Sequence, residues 1–171
     1  QACYWEALFP GMVRWIAPIC GSSKISTYNW LFLDCVKRGL AADAHWAGGG
    51  YTEPPEDGLR AFTIVYVSWV LSQTGYRKGV HLSLAGQNFG SMSALLDSFH
   101  GIFARHDAND PLGMLNKWQL ADVSKHGQFG GDWQAALSSI TSTAVVLPSK
   151  TDLRFPPEDN EIEVAMMPNY E

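Results

Sequence analysis

Near the end of the chain, Ala144-Val145-Val146-Leu147 forms a short apolar run between polar neighbours. A run of this length, rich in β-branched residues, suits a strand buried on both faces of a parallel sheet. Val13 to Cys20 is predicted as a second strand, closed by Gly21-Ser22-Ser23. Elsewhere the apolar positions fall at helical spacing. Gln1 to Phe9 has the composition of a helix interior and stops at Pro10-Gly11. From Lys24 onward, Trp30, Leu31, Leu33, Val36 and Leu40 mark one stripe that ends before Asp43. The breakers Gly48-Gly49-Gly50 and Pro54-Pro55 predict a loop over 47–58. Leu59 to Tyr76 reads as one long apolar helix, and 79–93 as irregular chain. Further helices are predicted over about 94–104, 112–123, 132–140 and 157–167.

This order is helix, strand, a long helical block, then helix, strand, helix, which is an α/β pattern. Two strands do not make a stable sheet alone. The helical block is then either a self-standing bundle or an insertion into a larger α/β protein, and the second reading is favoured. Residues 1–23 and 131–171 are assigned to the α/β core and 24–130 to the mainly helical insertion.

Composition narrows the function classes. A net charge of −5 without a basic cluster argues against nucleic acid as partner. No apolar run reaches the ~18–20 residues that span a bilayer, so no membrane partner is expected. The first residues show no basic start followed by an apolar run, the mark of a signal peptide. Cys3, Cys20 and Cys35 are odd in number and lack metal-ligand spacing, so they are read as reduced, buried thiols of an intracellular, cytoplasmic protein. Seven Trp, six Tyr and eight Phe suit a large apolar pocket for a small molecule as well as a core.

Candidate chemistry sits beside the Ala144 strand. Pro148 cannot donate to a ladder, and Ser149-Lys150-Thr151-Asp152 is then a polar loop at the strand's carboxyl end. Pro156-Pro157-Glu158-Asp159 reads as a helix start, where proline loses no hydrogen bond and acids favour the dipole. Open α/β sheets gather ligands and catalytic groups outside the carboxyl ends of their strands. Asp152 is the candidate catalytic residue, and the competing reading is a turn aspartate.

Several stretches together resemble one family. Gln1-Ala2 with Trp5-Glu6-Ala7-Leu8-Phe9-Pro10, Val13 to Ser22, Asp107-Ala108-Asn109 and Thr151-Asp152-Leu153-Arg154-Phe155-Pro156-Pro157-Glu158 follow the order and spacing of the homoserine O-acetyltransferase family. That family has the α/β-hydrolase fold and includes related acyltransferases and ester hydrolases. The resemblance implies a partial α/β-hydrolase fold carrying a helical lid, with Asp152 as the acid of a Ser-His-Asp site. Such an acid fixes the imidazole tautomer and stabilises the imidazolium while the histidine activates the serine. The chain order in this fold is nucleophile, acid, base. The nucleophile elbow is then expected before Gln1 and the histidine beyond Glu171, so the chain reads as an internal fragment, inactive by itself. The implied activity of the complete protein is acyl transfer from a thioester such as acetyl-CoA to an alcohol, through an acyl-serine. Ester hydrolysis and a truncated non-catalytic relative are the alternatives. No cofactor or metal is implied, acetyl-CoA being a co-substrate, and the lid helices offer a face for a homodimer. The family's homoserine-binding enzymes carry an arginine after a Gly-Leu pair. Here Gly58-Leu59 leads to Arg60-Ala61-Phe62-Thr63, with Thr63 near the arginine's position.

Other motifs are read as decoys. Gly90-Ser91-Met92-Ser93 lacks the final glycine of an elbow and follows no predicted strand. Cys20-Gly21-Ser22-Ser23 ends a strand where a nucleophilic cysteine would open a helix. His45, His81, His100, His106 and His126 show no i, i+4 pairing for zinc, and one or two are expected to line the lid.

Overall fold

A computed structural model describes residues 2–170. The chain divides into two compact units, one built from residues 2–26 and 120–170, the other from 27–119.

The first unit holds the α/β part. Its elements are α1 (Ala2–Leu8), β1 (Trp15–Ile16), α7 (Trp133–Ser138), β4 (Thr143–Ala144) and α8 (Pro157–Val164). The two predicted strands are partners: β1 pairs in parallel with β4, Trp15 beside Thr143 and Ile16 beside Ala144. The ladder continues through Val145 N–H to Ile16 O (2.9 Å), Leu147 N–H to Pro18 O (2.9 Å) and Cys20 N–H to Leu147 O (3.0 Å). Pro18 accepts but cannot donate, which explains why the regular strand is shorter than the apolar run. Burial on both faces was expected of Ala144–Leu147, yet Leu147 is 48% exposed, and the partner strand is open on the same side. Ile16 and Ala144 pack with Cys3, Ala7, Leu137 and Ile140, whereas Trp15 and Ile19 are more than half exposed, at 61% and 68%. Helices α1 and α7 cover only one face of the pair.

Residues 120–130, assigned from sequence to the insertion, pack in the first unit. Ile25 N–H donates to Ala121 O (2.9 Å), and Val123 N–H donates to Ser23 O (3.0 Å). Asp122 diverts the chain here: its Oδ1 accepts from the N–H (3.0 Å) and Oγ (2.6 Å) of Ser124 and caps a 3₁₀ turn over Val123–Lys125. Hence the preceding helix, α6 (Asn109–Gln119), stops before the predicted Val123. Glu6, wholly buried, ties α1 to the amino end of β4. Its Oε1 accepts from Gly11 N–H, Thr141 Oγ1 and Ser142 N–H, each at 3.1 Å.

The second unit is helical, with α2 (Thr27–Ala41), α3 (Glu56–Val67), α4 (Gln73–Arg77), α5 (Met92–Phe103) and α6. The expected single helix over 59–76 is two. Helix α3 ends after Val67, and Ser72 starts α4 by accepting from Gly75 N–H (3.1 Å). Serine competes with the helix ladder and favours such caps. Residues 79–93 contain a small hairpin, β2 (Ser83–Leu84) and β3 (Gln87–Asn88), turned at Ala85-Gly86 with positive φ at both. That backbone matches the twist of paired strands. Ser91 is the N-cap of α5, accepting from Ala94 N–H at 3.1 Å. Asp107-Ala108-Asn109 fastens two loops together. Asp107 Oδ1 accepts from Tyr51 OH (2.7 Å), Tyr51 OH accepts from Ala108 N–H (2.8 Å), and Asn109 Nδ2 donates to Gly49 O (3.1 Å). Among the described residues, no helix is long and apolar enough to cross a membrane.

Of the three thiols expected to be buried, only Cys3 is. Cys3 is buried, and desolvation pushes its pKa up to about 11. Cys20 is half-buried, and Cys35 lies exposed, off the buried stripe of Phe32, Leu33, Val36 and Leu40.

Helices α2 and α3 cross closely because of Gly58. A Cβ there would lie 2.6 Å from Leu40 O and 2.8 Å from Asp43 Cβ, and Gly58 N–H donates to Asp43 Oδ2 (2.7 Å). Gly58→Ala is expected to cost about 1–3 kcal/mol by overpacking against backbone. Gly113→Ala, in open space on α6, is expected to stabilise by about 0.5–1 kcal/mol. Thermal unfolding of the two variants checks the contrast.

Candidate functional site

The carboxyl ends of the parallel pair bring two loops side by side. One follows β1 and contains Cys20, Gly21, Ser22 and Ser23. The other runs from Pro148 to Pro156 and carries Asp152. Cys20 sits at φ 46°, a left-handed backbone that turns the chain sharply away from the ladder.

Asp152 is half-buried and organises its own loop. Its N–H donates to Ser149 O (3.0 Å), closing a turn. Its Oδ1 accepts from Arg154 N–H (2.8 Å) and Phe155 N–H (3.0 Å). Both side-chain bonds fall on Oδ1, so this turn makes no use of Oδ2. The turn reading and the acid reading are therefore compatible on one carboxylate. Immediately beyond, Pro156 and Pro157 begin α8, with Glu158 and Asp159 in its first turn, as the sequence predicted.

A second carboxylate, not foreseen from the sequence, anchors the loops. Glu163, on α8, is only 4% exposed. Its Oε1 accepts from Ser23 N–H (2.8 Å) and Ser23 Oγ (2.9 Å). Ser23 Oγ also receives Trp133 Nε1–H (2.9 Å), and Asn160 Nδ2 donates to Gly21 O (2.9 Å). The start of the loop after β1 is thus held by α8, the helix that ends the Asp152 loop. Lys24 lies at the mouth of this cluster, 3.5 Å from Asp122 Oδ2 and 5.6 Å from the Trp133 ring centre.

His126 sits in the first unit, edge-on to Tyr4, and the other four belong to the second unit. His100 is buried with Nε2 2.7 Å from Glu56 Oε1. His106 lines a cavity of ≈610 Å³ between α5 and α6, with Ile102, Phe103, Pro111, Met114 and Lys117. Among the described residues no histidine hydrogen-bonds Asp152, and no three potential ligands converge as a metal site. Thr63 is buried and its hydroxyl donates to Leu59 O (2.7 Å), while Arg60 is exposed beside Glu56 and Asp97. The aromatic run from Tyr66 packs as helix core: Trp69 stacks on Phe32 (4.7 Å), and Phe62 meets Phe103 edge-on (4.9 Å).

No family model matches the chain. Individual relatives do. The chain is 31% identical over 174 residues to an ethyl acetate hydrolase of Pseudomonas veronii, covering 100% of this chain and 48% of that protein. It is 28% identical over 172 residues to a homoserine O-acetyltransferase of Chloroherpeton thalassium, covering 99% of this chain and 45% of the relative. Its fold superposes on an acetylester hydrolase from Corynebacterium glutamicum with a TM-score of 0.90 at 30% identity, covering 100% of this chain and 48% of that one. The chain thus spans about half the length of the relatives it matches.

Parallel strands, flanking helices and an acid-bearing loop at their carboxyl ends define this as part of an α/β-hydrolase fold. Within that fold the chain is similar to homoserine O-acetyltransferases and to ester hydrolases.

Burial gives Glu163 a pH signature. Desolvation raises its pKa above the ordinary value of 4.5, against the opposing pull of the Ser23 donors. The folded state then holds this proton more tightly than the unfolded chain. The contribution favours folding below the ordinary value and is lost as pH rises through the raised one. Stability measured by denaturant titration across mildly acidic pH should carry this decline in the wild type, and Glu163→Gln should flatten it.

Proposed function

We propose that this chain supplies the catalytic acid, Asp152, to a serine-dependent esterase that cleaves small acetyl esters. The observation that carries this reading is the Asp152 loop at the carboxyl end of β4, in a chain similar throughout to an ethyl acetate hydrolase and superposable on an acetylester hydrolase. The serine and the histidine come from parts of the complete protein outside this chain. The serine oxygen attacks the ester carbonyl as the histidine takes its proton. That proton passes to the departing alkoxide, leaving an acetyl-serine. Water, deprotonated by the same histidine, then attacks the acetyl carbon, and acetate leaves as the serine oxygen takes that proton back from the histidine. Asp152 holds the imidazole in the tautomer that can accept the serine proton, and it balances the imidazolium that forms.

Transfer of the acetyl group to an alcohol instead of water is the second reading, favoured by the likeness to a homoserine O-acetyltransferase. The donor would then be a thioester such as acetyl-CoA. Thr63 weighs against homoserine as acceptor. It is 1% exposed, with its hydroxyl committed to its own helix, where the resemblance would place a basic side chain. Water is the acceptor that makes no such demand.

Assays of the complete protein with ethyl acetate, and with acetyl-CoA plus homoserine, separate the two acceptors. Asp152→Asn is nearly isosteric, and its N–H acceptor Oδ1 is retained. It is expected to keep the fold and lower kcat by about three to four orders of magnitude. Glu158→Gln, in the first turn of α8, is expected to alter stability by about 1 kcal/mol or less, with turnover unchanged. Near-normal turnover of Asp152→Asn would remove the assignment, and failure of a serine-directed phosphonate to label the complete protein would favour a non-catalytic relative.

A further inference from the structure

The loop that carries Asp152 is anchored at both of its ends, and the two anchors differ in kind. At its start, Leu147 is fixed by backbone bonds: its N–H donates to Pro18 O and its carbonyl accepts from Cys20 N–H. At its finish the chain enters α8, whose first turn is opened by prolines that supply no capping side chain. Beyond α8 the chain is held by Ala144 N–H to Asn169 O (2.9 Å) and Ser138 Oγ to Met166 O (3.1 Å), so the end of α8 nearer Asp152 depends on what its buried face grips. That face presents Asn160 and Glu163, three apart and so on the same side of the helix. Both reach the loop after β1, Asn160 to Gly21 O and Glu163 to the N–H and hydroxyl of Ser23. Trp133 Nε1–H completes the environment of the Ser23 hydroxyl.

We propose that Glu163 is a positioning residue for the acid. Through Ser23 it locks α8, and with it the far end of the Asp152 loop, to the carboxyl end of the neighbouring strand. This inference rests on the reading of Asp152 given above.

Three features favour a positioning role over mere filling of the core. An apolar side chain would fill the same space without the cost of burying a carboxylate, so retention of the charge needs a reason. Charge-assisted bonds to two donors on a single residue fix direction as well as distance, which apolar contact does not. The element held is the one attached directly to the candidate acid, and displacements of about 1 Å at reacting groups can cost on the order of 10²-fold in rate. Neighbouring charges are Lys24, which is paired with Asp122, and Asp159 on α8; Cys3 on α1 lies near enough for Glu163 to raise its pKa.

The test uses the complete protein and follows kcat and KM separately, well below the melting temperature of each variant. Glu163→Ala is expected to lower kcat by roughly 10- to 100-fold with KM within about twofold, since the substrate's own contacts are untouched. Glu163→Gln keeps an acceptor oxygen for Ser23 and should recover most of the loss. Ile140→Val trims the buried core at the amino end of β4, away from both loops, and should lower the melting temperature with kcat unchanged. If Glu163→Ala does not fold, Ser23→Ala carries the test, with a loss of about 3- to 10-fold for one of the two bonds. Loss of melting temperature with normal kcat in Glu163→Ala or its substitute overturns the proposal, as does an equal loss of kcat in Ile140→Val. If Asp152→Asn costs orders of magnitude while Glu163→Ala costs nothing, the positioning role fails and the acid assignment stands. If Asp152→Asn itself turns over normally, the acid assignment fails and the proposal falls with it.

Discussion

A handful of backbone hydrogen bonds joins the segment around Trp15–Ile16 to the segment around Thr143–Ala144, and every candidate functional group in the first unit takes its place from that pairing. The pairing is parallel and closes residues 15–144 into a loop. Loop closure costs entropy that grows slowly with length, so a long intervening segment is tolerable if it is ordered on its own account. The second unit meets that condition. Its helices close around Phe32, Leu33, Val36, Leu59 and Phe62, with Gly58 permitting the close crossing of α2 and α3.

The pair is narrow, and buried carboxylates reinforce it at both ends. Glu6 ties α1 to the segment before β4, and Glu163 ties α8 to the segment after β1. Both accept backbone N–H groups that would otherwise be buried without partners. The two acids differ in what they hold. Glu6 secures the amino end, which carries no candidate chemistry, whereas Glu163 lies one helix away from Asp152. A purely apolar contact would allow α8 to slide along the sheet, and directional bonds do not.

The larger plan was legible in the sequence, because long-range organisation leaves clear local marks. Two short apolar runs bounded by proline and glycine became the paired strands, and Pro156-Pro157-Glu158-Asp159 became the start of α8. The Asp152 turn was equally visible, since its two acceptor bonds are made to residues close by in sequence. What was hidden depended on partners distant along the chain. In α8 the usual pattern is reversed: Ile162 is 52% exposed and Glu163 is buried. A rule that places apolar residues inside would select the wrong neighbour, and only the Ser23 donors explain the inversion. The break after Val67 was missed for a different reason. Apolar residues run on past Val67 through Trp69, Val70 and Leu71, and Ser68 and Ser72 are weak stops unless their capping bonds are seen. Burial of both strand faces was predicted from apolar composition, which cannot say how many layers a given segment of chain supplies.

The junction between the two units has a consequence for how such proteins diversify. The chain leaves the first unit after Ser26 and rejoins it at Leu120, and at that seam Ile25 N–H donates to Ala121 O while Lys24 pairs antiparallel with Asp122. Departure and return are therefore adjacent backbones, joined as the two stems of a hairpin are joined. Any segment whose ends lie close together can be accommodated at such a seam without altering the strands beneath it. The inserted segment can therefore change in sequence or length while the strand pair keeps its register.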